Sequence, residues 1–141
     1  MPHETADVLV RPLPEPNALT QPFWEAAARH MLVRPVCGRC ARSFFTPQVA
    51  CPHCGSEDWE YRESSGRGLV YSMTTIYRPP LPAFAAPYTL AIVDLEEGWS
   101  MLSRVVGCAA EDVHIGMRVQ VTWEDAAPGV ALPNFKPEGA S

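Results

Sequence analysis

Residues Cys37 to Gly55 read CGRCARSFFTPQVACPHCG, and this stretch decides the fold. It holds two Cys-x-x-Cys pairs, Cys37 with Cys40 and Cys51 with Cys54, separated by ten residues. That is the spacing of a tetrahedral site in which two knuckles of chain each offer two thiolates to one ion. A glycine interrupts the first pair and another follows the second, and glycine allows the tight turns that aim both sulfurs of a knuckle at a common point. Sulfur-only sites accept zinc or iron, and Zn²⁺ is the expected occupant. Four protein ligands leave no open position for water or substrate, so the ion is expected to staple the fold and not to react. Arg34, Arg39 and Arg42 lie where they can offset the negative charge of four thiolates on a divalent ion. His53, inside the second pair, is expected outside the shell because the sulfurs complete it. Two disulfides are the rival reading, and they belong to oxidising compartments. A thioredoxin-like redox role needs a βαβ pattern around an accessible thiolate, and no such pattern is written here.

Upstream, residues 1–19 carry Pro2, Pro12, Pro14 and Pro16 without helical or strand periodicity. They are expected to form an extended arm, mobile or laid on a partner. A helix is expected over 20–35. Thr20 can cap it, Pro22 suits the first turn, Glu25 sits near the start, Arg29 and His30 suit the carbonyl end, and Pro35 stops it. Trp24, Ala27, Ala28 and Met31, with Phe23 beside them, form an apolar face that must be covered.

Downstream of the cysteines, a zinc ribbon over 36–66 gives way to strands. Gly68 to Arg78, Tyr88 to Leu95, Ser100 to Val106 and Met117 to Glu124 have strand composition, and Gly129 to Phe135 is a shorter fifth, ended by Pro133 and Pro137. In the fourth, Met117, Val119, Val121 and Trp123 alternate with Arg118, Gln120, Thr122 and Glu124, as a half-buried strand requires. Ala109 to His114 supplies at most one helical turn. Five short strands over 67–137 predict a closed antiparallel barrel, because so small a sheet has no other way to protect its edges. Residues 138–141 are a tail. Glu96 and Glu97 read as a polar hairpin turn.

The chain has 141 residues and 15.5 kDa, with 47% hydrophobic and 19% charged residues. That is enough for one domain of ordinary size with a small appendage. Fifteen prolines argue against a helical bundle. The net charge of −5 is the wrong sign for a protein that gains affinity by neutralising phosphates. No run is long and apolar enough for a membrane span, and the start MPHETADVLVRPLPEP lacks the basic and apolar segments of a secretory signal, so a cytoplasmic location is expected. Nucleotide-binding glycine loops, nucleophile elbows and zinc-protease motifs are missing. Cys108 stands apart from the cysteine pairs, with His114 the nearby candidate base; a small, partly buried thiol is the expected reading.

Taken together, PFWEAA at 22–27, the CPxCG knuckle, GxVYSxTTIYRPP from Gly68, PYTLAIVDLEEG from Pro87, VxIGMRVQVTW from Val113 and the final PNFKP resemble one family. It is the acyl-CoA-associated proteins catalogued as domain of unknown function 35 (DUF35), and the likeness runs from Pro22 to Pro137. The resemblance implies an N-terminal helix, a rubredoxin-like zinc ribbon and a five-stranded OB-fold barrel. It also implies a non-catalytic accessory subunit that stabilises a thiolase-superfamily enzyme, either an acyl-CoA thiolase or a lipid-transfer-protein-like aldolase that cleaves CoA thioesters. Cys37, Cys40, Cys51 and Cys54 fall on the family's metal positions. The fused members carry a hot-dog dehydratase domain that is not found in these 141 residues.

Softer expectations concern the loop from Tyr77 to Tyr88, where Arg78, Pro79, Pro80, Leu81, Pro82 and Phe84 make an apolar, proline-stiffened stretch. It either packs across its own barrel mouth or contacts a partner or acyl-CoA. Arg78, Phe84, Tyr88, Phe135 and Lys136 are the candidate contacts. A second class of function is single-stranded nucleic-acid binding, with Tyr71, Tyr77 and Trp123 as stacking platforms, which the acidic charge disfavours. A third is a rubredoxin-like electron carrier, which would hold iron.

Overall fold

The computed structural model describes residues 10–139, so the first part of the expected arm lies outside the described residues. Helix α1 spans Gln21–Ala28 and is shorter than the sequence suggests. It ends in a paired hydrogen-bond closure: the Met31 N–H donates to the Ala26 carbonyl and the His30 N–H to the Ala27 carbonyl. His30 takes the left-handed conformation (φ 59°) that this closure needs. Glycine is the usual residue there, so no signal marked the stop. The histidine is held instead by its ring, which stacks on Trp123 at 5.6 Å and meets Asp125 Oδ1 at 2.7 Å through Nε2. Arg29 and His30 therefore follow the helix instead of closing its last turn. Pro35 sits inside the next strand. Thr20 makes no side-chain cap; Asn17 Oδ1 accepts the Leu19 and Thr20 N–H groups and sets up the entry turn. The buried face is Phe23, Ala26 and Ala27, rotated from the expected one, and Ala28 points to solvent.

The described part of the arm lies along the chain's own body. Arg11 pairs with Glu124, and the Tyr61 hydroxyl donates to the Leu19 carbonyl at 2.8 Å.

Strands β1 (Val33–Cys37) and β2 (Trp59–Glu63) pair antiparallel, with Cys37 opposite Trp59. This two-stranded base holds both ends of the cysteine segment. The barrel follows: β3 (Arg67–Ile76), β4 (Tyr88–Leu95), β5 (Trp99–Val105), β6 (Arg118–Ala127) and β7 (Val130–Pro137), closed in the order β3-β4-β5-β7-β6. All neighbours are antiparallel except β5 and β7, which meet parallel at Val105 and Phe135. A single turn, Ala110–Asp112, bridges β5 to β6. Closure depends on Gly68, which pairs with Leu95 on one side and Val119 on the other as β3 passes from one neighbour to the next. A Cβ there would stand 2.3 Å from the Asp94 carbonyl oxygen, so only glycine fits the corner.

Strand β7 runs through Pro133 to Pro137 instead of ending at them. Pro133 faces Trp123 across the ladder, and its carbonyl accepts the Ser103 hydroxyl at 2.6 Å. The core is continuous from the helix to the barrel: Phe23, Ala26, Leu32 and Val33 pack with Val70, Val93, Trp99, Val119 and Phe135. Phe45 of the cysteine segment bridges Phe23 at 5.4 Å and Trp99 at 5.2 Å, so helix, ribbon and barrel share one set of aromatic contacts.

Candidate metal centre

The four sulfurs of Cys37, Cys40, Cys51 and Cys54 all lie within 4.8 Å of one another. Cys37 Sγ is 3.6 Å from Cys54 Sγ, and Cys40 Sγ is 3.7 Å from Cys51 Sγ. Four sulfurs arranged tetrahedrally at ~2.3 Å from a zinc ion stand about 3.8 Å apart, whereas a disulfide needs ~2.05 Å. The contacts run between knuckles, and the spacing is that of a tetrahedral thiolate cage around one ion. The donor set therefore fits a structural Zn²⁺.

Local backbone geometry explains how ten intervening residues bring the pairs together. In the first knuckle the Ala41 N–H donates to the Cys37 carbonyl; in the second the Gly55 N–H donates to that of Cys51 at 2.8 Å. Both residues following a pair are left-handed, Ala41 at φ 65° and Gly55 at φ 80°. The second knuckle thus has the glycine its turn favours, and the first bears the strain of an alanine. The glycine inside the first pair, Gly38, lies instead against Asp58. Amide groups point at the sulfurs: the Arg39 and Cys40 N–H groups approach Cys37 Sγ, and the His53 N–H approaches Cys51 Sγ at 3.4 Å. The Cys40 amide, against the cost of burial and aided by Arg39 and the neighbouring sulfurs, brings the Cys37 thiol down to about 6. Against the pull of the Arg42 amide, burial and the other sulfurs push the Cys40 thiol up to about 11, so the proton withdrawn from one sulfur of the knuckle is held by the other.

His53 lies outside the cage, with its ring Nε2 3.3 Å from the Ser43 carbonyl oxygen. Arg34 joins the Ser43 hydroxyl and the Glu63 carbonyl, which ties the ribbon to its strand base. Phe44 and Trp59, edge to face at 5.5 Å, are the main apolar support beside the buried cysteines.

A structural anchor, Glu97, was hidden in what reads as a plain polar turn. It accepts the Ser64 hydroxyl and the Ser65 N–H, each at 2.7 Å, and the Trp99 indole N–H at 3.2 Å. It thereby pins the ribbon-to-barrel joint to the start of β5. Partial burial would raise its pKa, but the Ser65, Ser64 and Trp99 donors outweigh it and hold the carboxyl down to about 2. The folded value lies below the ordinary 4.5, so this carboxylate stabilises the fold fully above about pH 4.5, and the contribution is lost as pH falls through 2. The Glu97→Gln variant is expected to have a flatter acid limb in urea midpoints measured from pH 6 to 2. An unchanged limb would show that Glu97 is not the pin.

The candidate contact residues divide. Arg78 is exposed, Phe84 and Tyr88 are half-buried, and Tyr77 of the same loop is 73% exposed, so the loop leaves apolar surface in solvent. Phe135 is 0% exposed at the barrel centre. That corrects its reading as a contact residue: its ring has no surface to offer. Lys136, next to it, is half-buried. Cys108 is half-buried, and burial, with Asp112 adding to it, raises its thiol pKa. His114 bonds to the Asp112 carbonyl oxygen instead of the Cys108 sulfur. The three candidate stacking residues do not line a common groove, since Trp123 is covered by His30 while Tyr71 and Tyr77 are exposed on β3 and just beyond it. The cleft holding Arg67 and Arg118 is balanced by Asp94, Glu96 and Glu138. No described helix is long and apolar enough to cross a membrane.

A cysteine-clasped ribbon fused to a closed five-stranded barrel defines a zinc-ribbon and OB-fold protein. The ChsH2 rubredoxin-like zinc ribbon domain matches residues 24–60, and the ChsH2 C-terminal OB-fold domain matches residues 61–124. The chain is 41% identical over 128 residues to a probable enoyl-CoA hydratase alpha subunit of Thermomonospora curvata, covering 91% of this chain and 40% of that protein's length. It is 33% identical over 114 residues to a DUF35 domain-containing scaffold protein of Methanocaldococcus jannaschii, covering 77% of this chain and 81% of the other. Among solved structures, the Ltp2-ChsH2(DUF35) aldolase contains a chain that matches with TM-score 0.81 and 40% identity, over 88% of this chain and 98% of that one. The chain belongs to the ChsH2-type DUF35 family.

Proposed function

We propose that this protein is a non-catalytic accessory subunit that binds and stabilises a thiolase-superfamily enzyme acting on CoA thioesters. Its partner would be a lipid-transfer-protein-like aldolase or an acyl-CoA thiolase, joined to it in a hetero-oligomer. The observation that carries this reading is the likeness to a chain of the Ltp2-ChsH2(DUF35) aldolase, over 88% of this chain and 98% of that one. The relatives' names, a scaffold protein and a hydratase alpha subunit, agree with it.

In this reading Cys37, Cys40, Cys51 and Cys54 hold one structural Zn²⁺, which fixes the ribbon on the barrel. The partner supplies the nucleophile or base. Binding of the native form alone stabilises both chains by mass action. Arg78, Phe84, Tyr88 and Lys136 are the candidate contacts to the partner or to an acyl-CoA passage, with Arg78 suited to a phosphate or carboxylate.

Co-expression with a thiolase-like subunit is expected to yield a hetero-oligomer on size exclusion and to raise that subunit's soluble yield. The purified chain alone is expected to turn over no acyl-CoA in thiolase, aldolase or hydrolase assays. Turnover by the isolated chain at a rate matching the complex would overturn the reading.

A further inference from the structure

Outward side chains of β4 and β5, flanked by Ser72 and Thr74 of β3, form an apolar stripe that no described residue covers. Cross-strand rows set it out: Thr74, Leu90 and Arg104 in one, Ser72, Ile92 and Leu102 in the next. Leu102 is 65% exposed and Ile92 38%. A shallow groove runs between these rows, lined by Thr74, Leu90, Ile92 and Leu102. Inward positions of a closed barrel make its core, and outward ones facing water are ordinarily polar. The adjoining row is mixed, with Leu69 exposed beside a polar pair in which the Ser100 hydroxyl donates to Asp94 at 2.5 Å. The stripe breaks the rule.

One end of the stripe is cationic. The Arg104 guanidinium lies over the Tyr88 ring, 5.2 Å from its centroid, and its buried Nε has no hydrogen-bond partner. Glu124 is the acid whose carboxyl is lowered first by Arg11 and in lesser part by Arg104. It is already paired with Arg11 and accepts a hydrogen bond from Asn134. Arg104 itself makes no ion pair among the described residues, in a chain whose net charge is −5.

Resting on the accessory-subunit reading above, we propose that this face seats the thiolase-like catalytic subunit, which lays on it an apolar segment carrying one carboxylate. Leu90, Ile92 and Leu102 give the desolvated centre that carries most of an interface's affinity. Arg104, already flat on an aromatic ring, presents its remaining N–H groups to the incoming carboxylate, a pairing that guanidinium geometry favours.

The test co-expresses the tagged chain with Ltp2, the other named component of the solved Ltp2-ChsH2(DUF35) aldolase, and measures dissociation of the complex on dilution at low and high salt. Leu102→Asp is expected to weaken the complex at least ~30-fold, as loss of a central anchor does. Leu102→Ser, the milder variant, should weaken it in the same direction. Arg104→Met should weaken it less and remove most of the salt dependence, and Arg104→Lys should restore part of that dependence. Val49→Asp, equally exposed at 66% but on the ribbon, should leave the affinity within about 3-fold, the scale of a contact outside the anchor cluster. A folded Leu102→Asp chain that binds Ltp2 like the wild type overturns this face while leaving the accessory role intact. So does a Leu102→Asp chain that merely goes from dimer to monomer, which would make a second copy the occupant. Failure of the wild-type chain to bind Ltp2 removes the accessory reading itself, and this proposal with it.

Discussion

A Cys51→Ser variant, or the wild-type chain stripped of metal by a strong chelator, is expected to lose amide protection across residues 37–60 while the barrel strands keep theirs. The reason is how little else holds that segment. Its own core consists of Cys37, Phe44 and Cys51, with Cys40 and Trp59 packed against it, so three of the five members are the cysteines themselves. Fixing a residue's backbone costs roughly 1–2 kcal/mol. Those two aromatic rings, with Phe45 anchored on Phe23 and Trp99, cannot offset that for a segment of such length, whereas structural zinc contributes an apparent ~10–16 kcal/mol in small zinc modules. Without the ion, thiolates gathered this closely repel one another, which adds to the loss. The barrel residues Val70, Val93, Met101, Val119 and Phe135 belong to a core separate from the cysteine cluster, so the barrel should survive. Hydrogen exchange with and without chelator, combined with a zinc assay, checks this. Undiminished protection in the metal-free ribbon would show that the ion is not the staple. A red, iron-loaded protein would redirect the assignment to electron transfer.

How much of this was legible beforehand depends on the range of the forces involved. The cysteine pairs were readable because metal coordination imposes a local spacing, and the barrel strands because alternation is local too. The helix end was not, because its left-handed stop is a histidine held by Trp123 and Asp125 from a distant strand. Prolines mislead when taken as universal terminators. Pro35 and Pro133 lie within strands, one buried in the ribbon base and the other half-buried opposite Trp123. Glu97 looked like turn decoration because two of its three donors, Ser64 and Ser65, become neighbours only when ribbon and barrel dock. The arm is similar: Arg11 finds Glu124 across most of the chain's length. Short-range chemistry was visible in one dimension, and contacts that join modules were not.

Phe135 illustrates the same limit with a large expected effect. By position it sits in PNFKP near the end of the chain, where an aromatic beside a lysine suggests a contact residue. In the fold it is the bulkiest fully buried side chain among the described residues, opposite Val121 on β6 and Val105 on β5. Its carbonyl also accepts the Val106 N–H at 2.7 Å, so the residue sits at the one parallel seam that closes the barrel. Phe135→Ala is therefore expected to cost ~3–5 kcal/mol, the range for truncating a buried phenylalanine where the surroundings cannot collapse. Closure leaves the neighbouring strands little room to move inward, which argues for the upper part of that range. The measurement is the urea midpoint of the zinc-loaded chain, with Phe84→Ala as reference. Phe84 is half-buried in the loop, so its truncation should cost no more than about 1 kcal/mol, in keeping with a site outside the core. The two variants should also separate in the complex. Phe84→Ala tests a contact at nearly constant stability, whereas Phe135→Ala should lower the folded population and leave the affinity of the folded fraction unchanged. A Phe135→Ala chain of wild-type stability that binds its partner poorly would reverse the assignment and return the ring to the surface.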